Sequence, residues 1–164
     1  MKLTTQCYIR CEGKVLMLHR IKKKIDINQG KWIGIGGKLE GGESPDECVR
    51  REVLEETGLT LQDPKLRAIV TFNFESPQPE LEDWDVEYMF VYTCDRISGE
   101  LTEICDEGVL AWVPEDEIDS LPQWEGDRLF LKPILEGAPF FSMKLNYHGD
   151  ELIDYITFGE DANL

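Results

Sequence analysis

Residues 37–59 read GKLEGGESPDECVRREVLEETGL. The stretch opens with a glycine-rich acidic lead and continues as a helix whose limits its residues define. Ser44 stands as N-cap, Pro45 as the first helical residue and Glu47 three places after the cap, which makes a capping box. The helix is predicted to run to Thr57, where Gly58 supplies the left-handed residue that ends it. Within it Glu52, Glu55 and Glu56 fall at i, i+3 and i+4, so three carboxylates share one face. Cys48, Val49, Val53 and Leu54 are the apolar residues expected to anchor the other side. Crowding like charges on one face is unfavourable unless a positive charge offsets them. Arg50 or Arg51 can do part of this. A hard divalent cation does it better, taking carboxylate and backbone oxygens while keeping exchangeable waters. Gly34, Gly36, Gly37, Gly41 and Gly42 let a loop bring backbone groups close to such an ion or to a phosphate. Taken alone, the three glutamates read more simply as a solvated acidic face. The whole spaced pattern favours a metal site.

Composition narrows the partners. The chain has 164 residues, enough for one domain with a proper core, and one domain over 1–164 is expected. Its 17 Lys plus Arg against 33 Asp plus Glu give a formal net charge of −16, which repels long nucleic acid and anionic membrane. A phosphate-bearing substrate must then be small, drawn in by metal and a local basic patch. The dense basic run is His19, Arg20, Lys22, Lys23 and Lys24, which also reads as a solvated loop. Five cysteines without a C-x-x-C pair point to reduced thiols, and no segment has signal-peptide or membrane-spanning character. A cytoplasmic protein is expected.

Along the chain, strands are expected at Thr4–Arg10 and Lys14–His19, joined by a Glu12-Gly13 turn, and at Lys31–Ile35, leading into the glycine loop. Further strands are expected at Leu66–Glu75, Trp84–Cys94 and Val109–Val113, with a proline-containing loop at Ser76–Pro79 and a turn at Ser98-Gly99. Pro114–Ile118 starts a short helix, and Asp127–Leu135 reads as a second main helix interrupted or reshaped at Pro133. Phe140–Tyr147 and Glu151–Phe158 form a closing hairpin. Strands interleaved with few helices suggest an α/β fold with a mixed sheet covered on both faces.

The stretch from Gly37 to Leu59 fits G-x5-E-x7-R-E-U-x-E-E-x-G-U, U being bulky and apolar, at every specified position. The chain resembles a Nudix hydrolase, with the Nudix box at 37–59. That resemblance implies an α/β/α sandwich with a mixed central sheet, and metal-dependent hydrolysis of a diphosphate linkage with Mg²⁺ or Mn²⁺. It implies that the Gly37 backbone and the side chains of Glu52, Glu55 and Glu56 hold the metal. Either Glu55 or Glu56 would take a proton from the attacking water. Glu43 and Arg51 look like a salt bridge bracing loop against helix. Glu107, five residues before Trp112, stands in a register similar to an additional metal-binding acid; otherwise it is a solvated turn carboxylate.

The flanks KWIGIGGK (Lys31–Lys38), Trp124–Asp127 and Gly149–Tyr155 are similar to the MutT-type 8-oxo-dGTP diphosphatases and the oxidised-purine nucleoside triphosphatases. Those enzymes release a nucleoside monophosphate and pyrophosphate and so clear oxidised nucleotides. The resemblance implies a substrate site of Thr5, Arg20, Trp32, Ile33, Gly36, Gly37, Lys38, Phe72, Trp124 and Asp127. Trp124 would stack on a purine. Asp127 would bond the base edge, as a protonated acid in an apolar pocket. Two positions depart from the family. Ile33 stands where an Asn reads the base, and Glu125-Gly126-Asp127 keeps one acid where two are paired. The alternatives are a Nudix enzyme for ADP-ribose, a dinucleotide or a capped RNA end, or a module that binds a nucleotide without cleaving it. A monomer or homodimer is expected.

Overall fold

Two strands, β1 (Lys2–Cys11) and β2 (Lys14–His19), form the expected hairpin, turning through Glu12 and Gly13 at positive φ (52° and 75°). The computed structural model describes residues 1–75, 86–102 and 104–159. The loop expected at Ser76–Pro79 and the expected strand start at Trp84 lie outside these residues. The chain continues through β3 (Trp32–Ile33), β4 (Ile35–Lys38), α1 (Pro45–Thr57), β5 (Thr60–Leu61), β6 (Lys65–Glu75) and β7 (Val86–Cys94). After β8 (Ile97–Ser98) and β9 (Val109–Pro114) come a 3₁₀ turn (Glu115–Ser120), α2 (Glu125–Leu135), β10 (Phe141–His148) and β11 (Glu151–Gly159).

Among the described residues nine strands build one sheet in the order β11-β10-β6-β7-β1-β2-β3, with β4 added to β1 and β9 to β2. The pairs β1–β7 and β6–β10 are parallel and the others antiparallel, so the sheet is mixed. Strands β5 and β8 pair separately.

Period-two alternation divides the core between the two faces. Cys7, Ile9, Leu16 and Leu18 pack with Val49 and Val53 of α1. Tyr8, Val15, Met17, Val70 and Met89 pack with Phe130, Leu131 and Ile134 of α2. Each face carries a helix, so the fold is the expected α/β/α sandwich.

The expected strand at Lys31–Ile35 is divided in two at Gly34. Its first part pairs with β2 (Leu18↔Ile33, His19↔Trp32) and its second with β1 (Cys7↔Ile35, Thr5↔Gly37). A single segment thus passes from one strand of the hairpin to the other, and this crossing positions the site.

Helix α1 has the limits its residues dictate. Ser44 Oγ accepts the Glu47 N–H at 3.2 Å and Glu47 Oε2 accepts the Ser44 N–H at 2.8 Å. Gly58, at φ 77°, ends the helix by donating its N–H to the Leu54 carbonyl at 2.9 Å. Leu54 is 52% exposed and does not anchor the helix. It lies a third of a turn from the buried row Val49, Val53, Thr57. Thr57 is buried in its place and bonds the Val53 carbonyl at 2.6 Å. Helix α2 starts at Glu125 and runs through Pro133 without interruption. The missing N–H there falls in the last turn, where few further bonds depend on it.

Gly58→Ala forces a side chain into the left-handed region and sets its Cβ 2.8 Å from the Glu100 carbonyl oxygen. A loss of about 1–2 kcal/mol or more is expected in urea unfolding. Gly41→Ala, where a Cβ meets nothing within 4 Å, serves as the near-neutral comparison.

Candidate active site

The box helix and the glycine strand meet at Gly37. A Cβ there would lie 2.4 Å from the Glu52 carboxyl carbon, so glycine is what admits this carboxylate against the backbone. Arg51 then fastens the loop to the helix. Its Nε donates to Glu43 Oε1 at 2.6 Å and its Nη2 to Glu43 Oε2 at 3.0 Å, a two-pronged pair. Its Nη1 reaches Glu52 at 2.8 Å and Glu55 at 3.2 Å, and its Nη2 reaches the Lys38 carbonyl at 3.1 Å. The expected Glu43–Arg51 brace is therefore in place. The Arg51 hydrogen bonds, with the Glu40 N–H at 2.9 Å, push the Glu43 carboxyl down to about 2. Arg50 instead bonds the Leu61 carbonyl at 3.1 Å.

Glu56 sits where negative charge is costly. Its Oε2 is buried without a hydrogen-bond partner. Burial first, and then the charges of Glu107 and Glu52, hold its carboxyl well above the ordinary range. Burial raises Glu52 as well, against the pull of Arg51. Glu107 is held by Arg20 and by Lys23 (3.1 Å), and Arg20 in turn bonds Asp26 at 2.8 Å. Among the described residues no group of three His, Cys, Asp or Glu side chains is arranged to hold a metal ion as it stands. Glu52 and Glu55 are drawn onto Arg51, and Glu107 onto its two cations. The donors themselves suit a hard divalent ion: all are oxygens, one of them buried and otherwise unengaged.

A cavity opens on the α2 face of the sheet. Ile33, Phe72, Trp124 and Asp127 line it. Gln6, Asn28, Glu87 and Tyr147 also line it, with Lys2, Ile27, Phe74 and Met89. Trp124 is fixed from three sides. Its indole N–H donates to Asn28 Oδ1 at 2.8 Å, Tyr147 meets it edge-on at 5.5 Å, and Lys31 Nζ lies 4.2 Å from the ring centre. Tyr147 O–H accepts the Gly126 N–H at 2.8 Å, which pins the start of α2 to β10. Asp127 is 4% exposed. Burial, and secondarily Glu87, raises its carboxyl to about 8, so the acid is protonated at neutral pH.

Residues 3–133 match the NUDIX domain. The chain belongs to the Nudix family. It is a MutT-like Nudix hydrolase, and Nudix hydrolases generally use divalent metal cations. It is 32% identical over 152 residues to an oxidized purine nucleoside triphosphate hydrolase of Danio rerio, covering 93% of this chain and 90% of that protein. It is 30% identical, at 92% and 90% coverage, to the uncharacterized Nudix hydrolase YvcI of Bacillus subtilis. The crystal structure of a mutator MutT protein from Bacillus halodurans superposes with a TM-score of 0.83 at 30% identity, covering 96% and 97% of the two chains.

Several expected substrate residues of this Nudix hydrolase stand elsewhere. Thr5 is buried on the α1 side of β1, its hydroxyl 3.4 Å from Cys48 Sγ. Alternation along the strand sends Gln6 to the cavity and Thr5 away from it. Arg20 is occupied by Asp26 and Glu107. Trp32 stacks on His19 at 4.4 Å and packs beside the cavity without lining it. Gly36 pairs with Gln6 in the sheet, and the Lys38 side chain is exposed. The basic run is likewise largely committed: Lys22 bonds the Cys105 carbonyl at 2.5 Å. Of the residues that sequence reasoning missed, Tyr147 carried a signal. It ends the buried alternation Phe141, Met143, Leu145, Tyr147. Asn28 lies in a loop without periodicity and carried none. Among the described residues no helix is long and apolar enough to cross a membrane.

Because Asp127 holds its proton up to about pH 8 when folded but only to about 3.8 when unfolded, its contribution to stability falls as pH rises through that window. The slope is roughly 1.4 kcal/mol per pH unit for one proton. Asp127→Asn removes this component. Unfolding free energies measured from pH 5 to 8 are expected to fall less steeply in the variant than in the wild type.

Proposed function

We propose that this Nudix hydrolase cleaves a purine nucleoside triphosphate, 8-oxo-dGTP or a related oxidised purine, to the nucleoside monophosphate and pyrophosphate. The carrying observation is the segment from Ile33 to Gly37. It lines the aromatic cavity at one end and touches the Glu52 carboxylate at the other, over about 13 Å of extended chain. A base in the cavity can therefore extend its phosphates along this segment to the acidic helix.

The cavity suits a flat, polar-edged ring. Trp124, Phe72 and Tyr147 give it aromatic walls, and protonated Asp127 offers both a donor and an acceptor. At the other end Glu52, Glu56, Glu107 and the Gly37 carbonyl would hold Mg²⁺ or Mn²⁺, with Glu55 at the exposed edge of the set. Such an ion supplies charge neutralisation on the phosphate oxygens when bound. The chain's own groups do the rest. Arg51 keeps the loop, Glu52 and Glu55 in one frame, and Glu55 or Glu56 accepts the proton of the attacking water. Glu43 bears on the reaction through Arg51. A free nucleotide fits the net charge of −16 better than a long RNA does. One domain over residues 1–164 suffices for this reading.

The test is a substrate panel with Mg²⁺: 8-oxo-dGTP, normal nucleoside triphosphates, ADP-ribose and a dinucleotide, with products identified. Monophosphate and pyrophosphate from a purine triphosphate are expected. Cleavage of ADP-ribose or the dinucleotide alone would overturn the substrate assignment. Glu56→Gln is expected to lower kcat by about 10²–10⁴-fold.

A further inference from the structure

The sequence puts Ile33, which can form no side-chain hydrogen bond, on the wall of the cavity. The structure brings a different amide to the same cavity. Asn28 comes from the loop after β2, and its place is fixed by its own backbone. Its N–H donates to Asp26 Oδ1 at 3.0 Å, and its carbonyl accepts the Lys31 N–H at 2.8 Å. Asp26 is itself secured by Arg20.

The side chain is fixed as well. The Trp124 indole nitrogen can only donate, so the Asn28 atom 2.8 Å from it must be the carbonyl oxygen. That leaves the amide N–H₂ as the group Asn28 offers to the cavity. Other polar side chains there have different characters. Gln6 turns its Nε2 toward the Tyr8 hydroxyl at 2.5 Å, where one of its two N–H groups is used. Glu87 is a carboxylate that accepts from Thr4 Oγ1 at 2.5 Å. Lys2 brings its charge on a long stem. Protonated Asp127 can donate as well, and Asn28 is a second neutral donor, held in one orientation by its bond to Trp124.

We propose that Asn28 is a specificity-determining residue, donating from its amide nitrogen to a carbonyl oxygen of the base and so selecting oxo-purines over amino-purines. The proposal rests on the reading of the cavity as the base site. A fixed donor gains a partner when it faces a carbonyl oxygen. It faces another donor when the base carries an exocyclic amine, and one of the two is then left unpaired and desolvated.

The clean variant is Asn28→Asp. It keeps an oxygen for the Trp124 indole and changes the cavity-facing atom from a donor to an acceptor. dITP and dATP differ at purine position 6, oxo against amino, and are the matched substrates. Wild-type protein is expected to prefer dITP in kcat/KM. Asn28→Asp is expected to reduce the dITP/dATP ratio about 10-fold to 100-fold. Asn28→Ala, which has no donor at any pH, is expected to lose the same discrimination and also to raise KM for both, because Trp124 loses its acceptor. An unchanged ratio in both variants, or a wild-type preference for dATP, would overturn the role of Asn28 while leaving the hydrolase reading intact. Failure of the wild type to cleave any purine triphosphate would instead remove that reading, and this proposal with it.

Discussion

Everything at the acidic end of this protein depends on a charge imbalance held in place by one guanidinium. Glu43, Glu52 and Glu55 all bond Arg51, while Glu56 stays buried among like charges. Arg51 offsets part of that repulsion and, through the Lys38 carbonyl, also fixes the end of β4. Loop, strand and helix are therefore set by the same side chain. A lysine could not reproduce this, since it lacks the planar fork that reaches several acceptors in fixed directions. What the guanidinium leaves uncompensated is the Glu56–Glu107 side, where Arg20 and Lys23 draw Glu107 from behind.

The sheet converts this local arrangement into a site of useful length. The hairpin strands β1 and β2 part, and the segment Trp32–Lys38 crosses from one to the other. Because it crosses, one end borders the α2 face, where aromatic side chains enclose a cavity, and the other end meets α1. The loop from Arg20 to Lys31 ties the two ends together by a second route. Glu107 holds Arg20, Arg20 holds Asp26, Asp26 holds the Asn28 backbone, and Asn28 holds Trp124.

Much of this was legible in the residues. The capping box, the terminal Gly58 and the i, i+3, i+4 glutamates defined α1 nearly to the residue, because helix ends and faces follow from local chemistry. Strand placement followed from alternation and turn residues. In the acidic half Glu43, Arg51, Glu52, Glu55 and Glu56 lie within one local motif, so their grouping was legible, whereas Glu107 comes from outside it. The cavity was less so. Thr5, expected at the substrate site, lies on the α1 side of β1, since which face of a fully buried strand meets which helix is a tertiary matter. Arg20, expected at the substrate site, is instead taken up by Asp26 and the distant Glu107. Asn28 gave no signal because its role depends on Trp124, 96 residues away in the chain.

We propose that the unrelieved charge around Glu56 is the seat of a divalent cation. Its most direct measurement is the thermal midpoint of wild type and Glu56→Gln at pH 8, each titrated with Mg²⁺ after chelation. The expected result is that metal-free Glu56→Gln melts above metal-free wild type, because the wild-type carboxyl must take up a proton to be buried there and the amide need not, and that Mg²⁺ raises the wild-type midpoint much more than the variant's. Equal midpoints without metal and equal responses to Mg²⁺ would contradict it.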